Sequence, residues 1–243
     1  MANSYFQFKQ FTIQQNRCAM KVTTDGCLFA AWVADKINKE ELVIKNCLDI
    51  GTGTGLLALM LAQISEFAVD AIEIDKDAFE QASENISASP WADRIKIIHA
   101  DARLFEFKNQ YDVIISNPPF YEKELKADDA KKNIAHHNEG LLFPELLNII
   151  KKNLKPDGSF YLLLPYKRND ELKKLLSAND FAVEQMTFVR QSVNHDYFRI
   201  ILTGKFNSDE PVETKIDEIA IKDEAGNYTP SFISLLKDYY LHL

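Results

Sequence analysis

Cysteine is scarce: Cys18, Cys27 and Cys47 are the only three in 243 residues, and they show no paired spacing. That excludes a disulfide framework and points to reduced thiols packed as small hydrophobes in a cytoplasmic chain. No uninterrupted apolar stretch reaches the roughly 20 residues that a membrane span needs. The opening "MANSYFQFKQF" lacks the basic-then-apolar order of a secretory signal. There is no internal repeat and no low-complexity tract. Positive charge is also short: 28 Lys and Arg against 36 Asp and Glu leave a net charge of −8. This argues against a broad nonspecific grip on nucleic acid, while leaving room for a local basic patch. Lys151, Lys152, Lys155, Lys167, Arg168, Lys173 and Lys174 are candidates for one; the alternative is the solvated side of surface helices. What remains is an ordinary globular composition, 46% hydrophobic and 26% charged, in a chain long enough to bury a substantial core.

From about residue 42 the pattern alternates strand and helix, which implies a mostly parallel sheet. "LVIKNCLDI" is a predicted strand, and "LLALMLAQI" a helix behind a glycine turn. "AVDAIEI" (strand), "DAFEQASENISAS" (helix, stopped by Pro90), "IKIIHA" and "YDVIIS" (strands) follow. "GLLFPELLNIIKKNL" reads as a helix ended by "KPDG", "SFYLLLP" as a fifth core strand and "NDELKKLLSAND" as another helix. "FAVEQMTFV" and "HDYFRIILTGKF" break the alternation and predict an antiparallel hairpin closing the sheet edge. Before the core, "DGCLFAAWVADKI" reads as an apolar-faced helix; after it, residues 207–243 run from "NSDEP" to the aromatic-rich helix "PSFISLLKDYYLHL".

"LDIGTGTGLLAL" places Asp49, Gly51, Gly53 and Gly55 where the first core strand meets its helix. Glycine permits backbone angles and close approaches that a Cβ forbids, and ligands of open α/β sheets bind beyond the strand ends. The spacing is not G-x-G-x-x-G, since Leu56 stands where that needs a glycine, and no Gly-Lys-Ser/Thr follows for a P-loop. An acid just before the strand end followed by G-x-G-x-G resembles the S-adenosylmethionine pocket of class I methyltransferases. Glu73 ends the second core strand, where a carboxylate can accept from ribose hydroxyls. Asp75 and Asp77 suit a helix N-terminus better. In "HADA", after the third core strand, Asp101 can accept an adenine amino group and Ala102 can offer its backbone N–H to a ring nitrogen. A solvated loop acid is the plainer alternative for Asp101.

"SNPPF", residues 116–120, ends the fourth core strand in a stiff, donor-poor corner. It resembles the (D/N/S)-P-P-(Y/F/W) signature of methyltransferases that modify a planar nitrogen. The lone pair of such a nitrogen is delocalised, so it needs acceptors for its N–H protons. The Asn117 side-chain oxygen and the Pro118 carbonyl are two candidates, and the Phe120 ring can stack on the planar target.

Taken together, "NRCAMKVTTDGCLFAAW", "SPWADRI", "SNPPFY" and "NYTPSFISLLKDYYL" resemble the bacterial tRNA1(Val) (adenine-37-N6)-methyltransferase family over nearly the whole chain. The resemblance implies a Rossmann-like class I methyltransferase fold of the α/β class: a mostly parallel sheet, helices on both faces and the C-terminal hairpin. It implies one domain over 1–243, with an N-terminal extension 1–41, a core 42–206 and a C-terminal extension 207–243. It also implies S-adenosyl-L-methionine as cofactor, the tRNA anticodon loop as partner and no metal. By the same resemblance Lys21, Thr23, Thr24 and Asp25 line the site mouth, with Lys21 on the cofactor side, and the tail packs near the nucleic acid. Phe120 departs from the usual tyrosine, keeping a stacking ring and losing a hydroxyl. Two other transfers share the corner motif: methylation of a protein glutamine amide and of guanine N2 in ribosomal RNA. A third reading is a non-catalytic cofactor-binding or RNA-chaperone module. His136 and His137 read as an exposed loop pair. Arg190, His195 and Arg199 could meet RNA phosphates or stand as ordinary surface charges. Tyr228, Phe232, Tyr239 and Tyr240 fit a helix packed on the core.

Overall fold

Strands rich in Val, Ile and Leu on both faces suit a sheet covered by helices on both sides, and the computed structural model has that architecture. It describes residues 3–39, 43–118, 141–208 and 212–243. In chain order the elements are β1 (Tyr5–Gln7), β2 (Thr12–Gln14), α1 (Thr24–Lys39), β3 (Asn46–Ile50), α2 (Leu56–Ile64), β4 (Ala68–Glu73), α3 (Lys76–Ser87), β5 (Ile95–His99) and β6 (Tyr111–Ser116). They continue with α4 (Phe143–Asn153), β7 (Leu154–Pro165), α5 (Asn169–Ala178), β8 (Phe181–Ser192), β9 (Tyr197–Phe206), β10 (Lys215–Lys222) and α6 (Pro230–Leu236).

The eight-stranded sheet has the order β10-β8-β9-β7-β6-β3-β4-β5. β3 pairs in parallel with β4 on one side and β6 on the other, so the chain reverses its direction of growth between β3 and β6. Side chains alternate cleanly along β7: Tyr161 and Leu163 enter one core with α1, α2 and α6, whereas Phe160, Leu162 and Leu164 enter the other with α4 and α5. Burying both faces is what makes these strands read as continuous apolar runs.

The predicted antiparallel hairpin is β8–β9, but its second strand lies inside, between β7 and β8, and the edge belongs to β10. β10 pairs in parallel with β8; its alternation, with Ile219 and Ile221 buried, lies within the segment expected to lead to the last helix. β7 begins at Leu154 and takes in "KPDG" with a register shift against β6, so those residues are strand rather than turn. The last helix stops at Leu236, short of the expected end of the chain. The N-terminal hairpin β1–β2 has no counterpart in the pattern reading. It joins the tail through a bridge between Phe8 and Tyr240, and Phe8, Ile13, Phe232, Leu236 and Tyr239 share one apolar cluster with α1 and α2. The tail aromatics are therefore core groups: Phe232, Tyr239 and Tyr240 are buried, and half-buried Tyr228 stacks on Phe232. All three cysteines are free and buried.

Candidate active site

Reversal of the sheet between β3 and β6 opens a crevice at their C-terminal ends, where α/β folds take their ligands. The glycine turn lines it. Gly51, Gly53 and Gly55 have φ of 72°, 58° and 83°, a left-handed region that glycine enters without penalty. A Cβ on Gly55 would meet Ala82 and Ile86 of α3, so that glycine serves close helix packing. Gly51 and Gly53 face open space, leaving a cradle that side chains would fill. Ser116 ties the ends of β6 and β3 together, its hydroxyl donating to the Ile50 carbonyl at 2.8 Å.

Asp49 is fully buried at the end of β3. Its Oδ2 accepts from the Thr52 hydroxyl at 2.6 Å, while Oδ1 has no hydrogen-bond partner. Burial pushes its carboxyl up to about 7; the Thr52 hydroxyl pulls it down and the nearby Glu73 charge pushes it further up. A buried carboxylate with one bare oxygen, two residues before an open glycine turn, is an acceptor that suits a cationic ligand group. Glu73, 8% exposed, uses both oxygens: Oε2 accepts from the Gly53 amide at 2.9 Å, and Oε1 from the Ile74 and Asp75 amides, each at 2.9 Å. Asp75 caps α3 by accepting from the Ala78 amide, as its position suggested. Asp101 is gripped by Arg103, whose Nε and Nη2 reach its two oxygens at 2.7–3.0 Å, so it is an ion-paired acid rather than a solvated one. No hydrogen bond among the described residues uses the neighbouring Ala102 amide.

Asn117 leaves the end of β6 half-buried and Pro118 is buried. Gly26, in the first turn of α1, lies against Asn117: a Cβ there would stand 3.9 Å from Asn117 Nδ2 and 3.5 Å from Leu56 Cδ2. The segment leading to α1 thus reaches the corner motif. Lys21 is half-buried with Nζ at 3.5 Å from the Asn3 carbonyl, the far limit of a hydrogen bond. Thr23 is exposed, Thr24 half-buried, and Asp25 pairs with Arg199 at 2.7 Å. Phe120, His136 and His137 lie outside the described residues. Arg190 pairs with Glu218, and His195 contacts the Ser192 hydroxyl. In the basic stretch Lys151 pairs with Asp180, Lys155 with Asp112 and Arg168 with Glu171; the Arg168 side chain is mostly buried.

A family model described as "Methyltransferase small domain" matches residues 30–188. A tRNA1(Val) (adenine(37)-N6)-methyltransferase of Phocaeicola vulgatus is 38% identical over 243 residues, covering 100% of both chains. One of Dyadobacter fermentans is 41% identical over 98% of each. This chain belongs to the tRNA1(Val) (adenine(37)-N6)-methyltransferase family. Among solved structures, a predicted O-methyltransferase from Agrobacterium tumefaciens matches with a TM-score of 0.65 at 17% identity, over 88% of this chain and 96% of that one. A glycopeptide N-methyltransferase complexed with S-adenosylmethionine matches with a TM-score of 0.54 at 12% identity, over 73% of this chain and 94% of that one. At these identities the two show the class I methyltransferase fold.

Several residues of this family member's crevice escaped pattern reading. Asn85 of α3 is buried and holds the N-terminal segment: Oδ1 accepts from the Gln14 amide, and Nδ2 donates to the carbonyls of Gln14 and Thr54. Gln81, one turn earlier, accepts from the Arg17 amide. Both lie on the buried face of α3, and a polar pair spaced i, i+4 among Ala78, Ala82 and Ile86 was the available signal. Ile74, directly after Glu73, is 57% exposed at the crevice; one apolar residue continuing a strand past its acid gives no such signal.

Proposed function

We propose that this protein transfers a methyl group from S-adenosylmethionine to the exocyclic N6 of an adenine in tRNA, at position 37 in the anticodon loop of tRNA1(Val). The observation that carries the reading is similarity to enzymes of that name from end to end, with Asn117 set beside the glycine cradle. The chain acts as one methyltransferase domain, because both extensions contribute to the cluster that holds α1 and α2, and it works in the cytoplasm alongside its tRNA. No helix of the described residues is long and apolar enough to cross a membrane.

The crevice fits the cofactor on its own geometry. Asp49 Oδ1, buried and without a partner, would take a cationic group; the Gly51–Gly53 cradle would admit close approach; Glu73 Oε2, which accepts one hydrogen bond from the Gly53 amide, would accept another from a ribose hydroxyl. Asp101 and the Ala102 amide would read the edge of the adenine ring, Ile74 would offer it an apolar wall, and Lys21 would close the mouth. S-adenosylmethionine, when bound, supplies an electrophilic methyl on a sulfonium. Asn117 Oδ1 and the Pro118 carbonyl would accept hydrogen bonds from the N–H groups of the target amine and turn its lone pair outward, with Phe120 to stack on the base; once the methyl is on the nitrogen, one N–H proton leaves to solvent. The Ser116 bond to Ile50 fixes these acceptors relative to the glycine turn.

The test uses a transcribed tRNA1(Val) and its anticodon stem-loop, each with adenine or guanine at position 37. Methylation of the adenine forms and none of the guanine forms is expected. Equal methylation of both overturns the position, and none of either, in a protein that binds the cofactor, overturns the substrate.

A further inference from the structure

The chain between β2 and α1 runs from α3 to α1, and both helices pack on the same face of the sheet. At one end Asn85 and Gln81 of α3 hold Gln14 and Arg17. At the other, Asp25 in the first turn of α1 accepts from Arg199 Nε at 2.7 Å. Arg199 sits near the start of β9, opposite Pro165 at the end of β7. β7 lies between β9 and β6, the strand that ends just before Asn117, so the strand of Arg199 stands two strand spacings, about 10 Å, from β6. The Asp25 side chain is only 13% exposed, and Arg199 extends over the Phe198 ring.

Between those anchors the first turn of α1 faces the Asn117 amide, close enough that a Cβ on Gly26 would reach van der Waals distance of Nδ2, 3.9 Å. Gly26 has no side chain to hold the two apart, and the Nδ2 end of the amide is the end that faces it. A carboxamide with its nitrogen turned to α1 carries its oxygen on the other side, where a target N–H can be accepted. We propose that Asp25 and Arg199 are a positioning pair: by fixing the first turn of α1 they set the orientation of the Asn117 amide and hence the rate of transfer, without touching cofactor or RNA. The inference deepens the proposed adenine-N6 reading and rests on it.

The test is a cycle of Asp25→Asn, Arg199→Gln and the double variant, with Arg199→Lys as the conservative change. Each single variant lowers kcat by about tenfold or more, since sub-ångström misplacement of a positioned group is costly. The double variant is no worse than either single one, because the pair acts as a unit. KM for tRNA and the affinity for S-adenosylhomocysteine stay within about twofold, the pattern of an interaction expressed in the transition state. Arg199→Lys retains part of the rate. The side-chain amide resonance of Asn117, assigned by its loss in Asn117→Ala, shifts in both single variants of the folded protein bound to S-adenosylhomocysteine. Additive losses overturn the pairing. A raised KM at unchanged kcat makes Arg199 an RNA contact and overturns it as well, and so does an Asn117 resonance that stays in place. Because that resonance is read without turnover, its shift in a protein that leaves adenine unmethylated sustains the pair and refutes the functional reading alone.

Discussion

Glu73 Oε2 accepts a hydrogen bond from the Gly53 amide across 2.9 Å, so the acid ending β4 fastens the glycine turn that follows β3. With Oε1 taking the Ile74 and Asp75 amides, three backbone donors hold one carboxylate in place before any ligand arrives. A ribose acceptor and the loop that cradles the rest of the cofactor are thereby one preorganised unit.

Glu73→Ala removes both parts of that unit. Hydrogen bonds to a charged group contribute about 1.5–3 kcal/mol, so cofactor affinity by calorimetry should fall by about 10- to 100-fold. Glu73→Gln, which keeps an acceptor oxygen, should lose less. Unchanged affinity in the alanine variant moves the ribose contact elsewhere.

Asp49 makes the ligand-free protein sensitive to pH. Its folded carboxyl titrates at about 7, above the ordinary value of 3.8. A group raised on folding stabilises the fold below its unfolded pKa, and that contribution is lost as pH rises through the folded pKa, here between about pH 4 and pH 7 at about 1.4 kcal/mol for each unit of separation. Asp49→Asn should therefore melt higher than the parent at pH 8 without ligand, by a margin that shrinks toward pH 4. With saturating S-adenosylmethionine the order at pH 8 should reverse, because a cationic ligand group needs the carboxylate. A margin independent of pH contradicts the buried charge with its one bare oxygen.

Asn117→Ala removes one acceptor for the target amine and leaves the cradle intact. Single-turnover methyl transfer should fall by about 100-fold or more, the usual loss for a transition-state hydrogen-bond group, with cofactor affinity unchanged. Near-normal transfer would remove Asn117 from the chemistry.

Two glycine substitutions should separate binding from chemistry. At Gly51, with φ of 72° and open space beyond, alanine strains the turn and fills the cradle, so cofactor affinity should drop. At Gly26, alanine would sit 3.1 Å from Thr23 Oγ1, which accepts the Gly26 amide, and would point toward Asn117. Transfer should slow several-fold there while affinity holds, and alanine's better helix propensity, about 1 kcal/mol, limits any loss of melting temperature. Calorimetry and single-turnover rates on the two variants check the contrast; a Gly26→Ala loss confined to affinity would refute it.

Local chemistry made most of the core legible. "LLALMLAQI" is α2 residue for residue and "YDVIIS" is β6, because a glycine turn and a polar corner bound each run sharply. The crevice was readable for the same reason: its acids stand at strand ends, which periodicity locates. What stayed hidden depends on partners distant in sequence. β10 is half polar and finds its place only through β8. β1 and β2 are three residues each, too short to show a period. Arg199 looked like a lone surface charge because Asp25 lies 174 positions away. Glu73 was legible as an acid at a strand end, but its hold on the Gly53 amide was not, since that requires knowing that β3 and β4 are neighbours.

The most direct test of the account is methyl transfer from radiolabelled S-adenosylmethionine into total tRNA from a strain lacking this protein, followed by digestion to nucleosides. The account predicts label in N6-methyladenosine. Absence of label from tRNA, with label entering ribosomal RNA or a release factor under the same conditions, would contradict the substrate while leaving the fold and cofactor crevice in place.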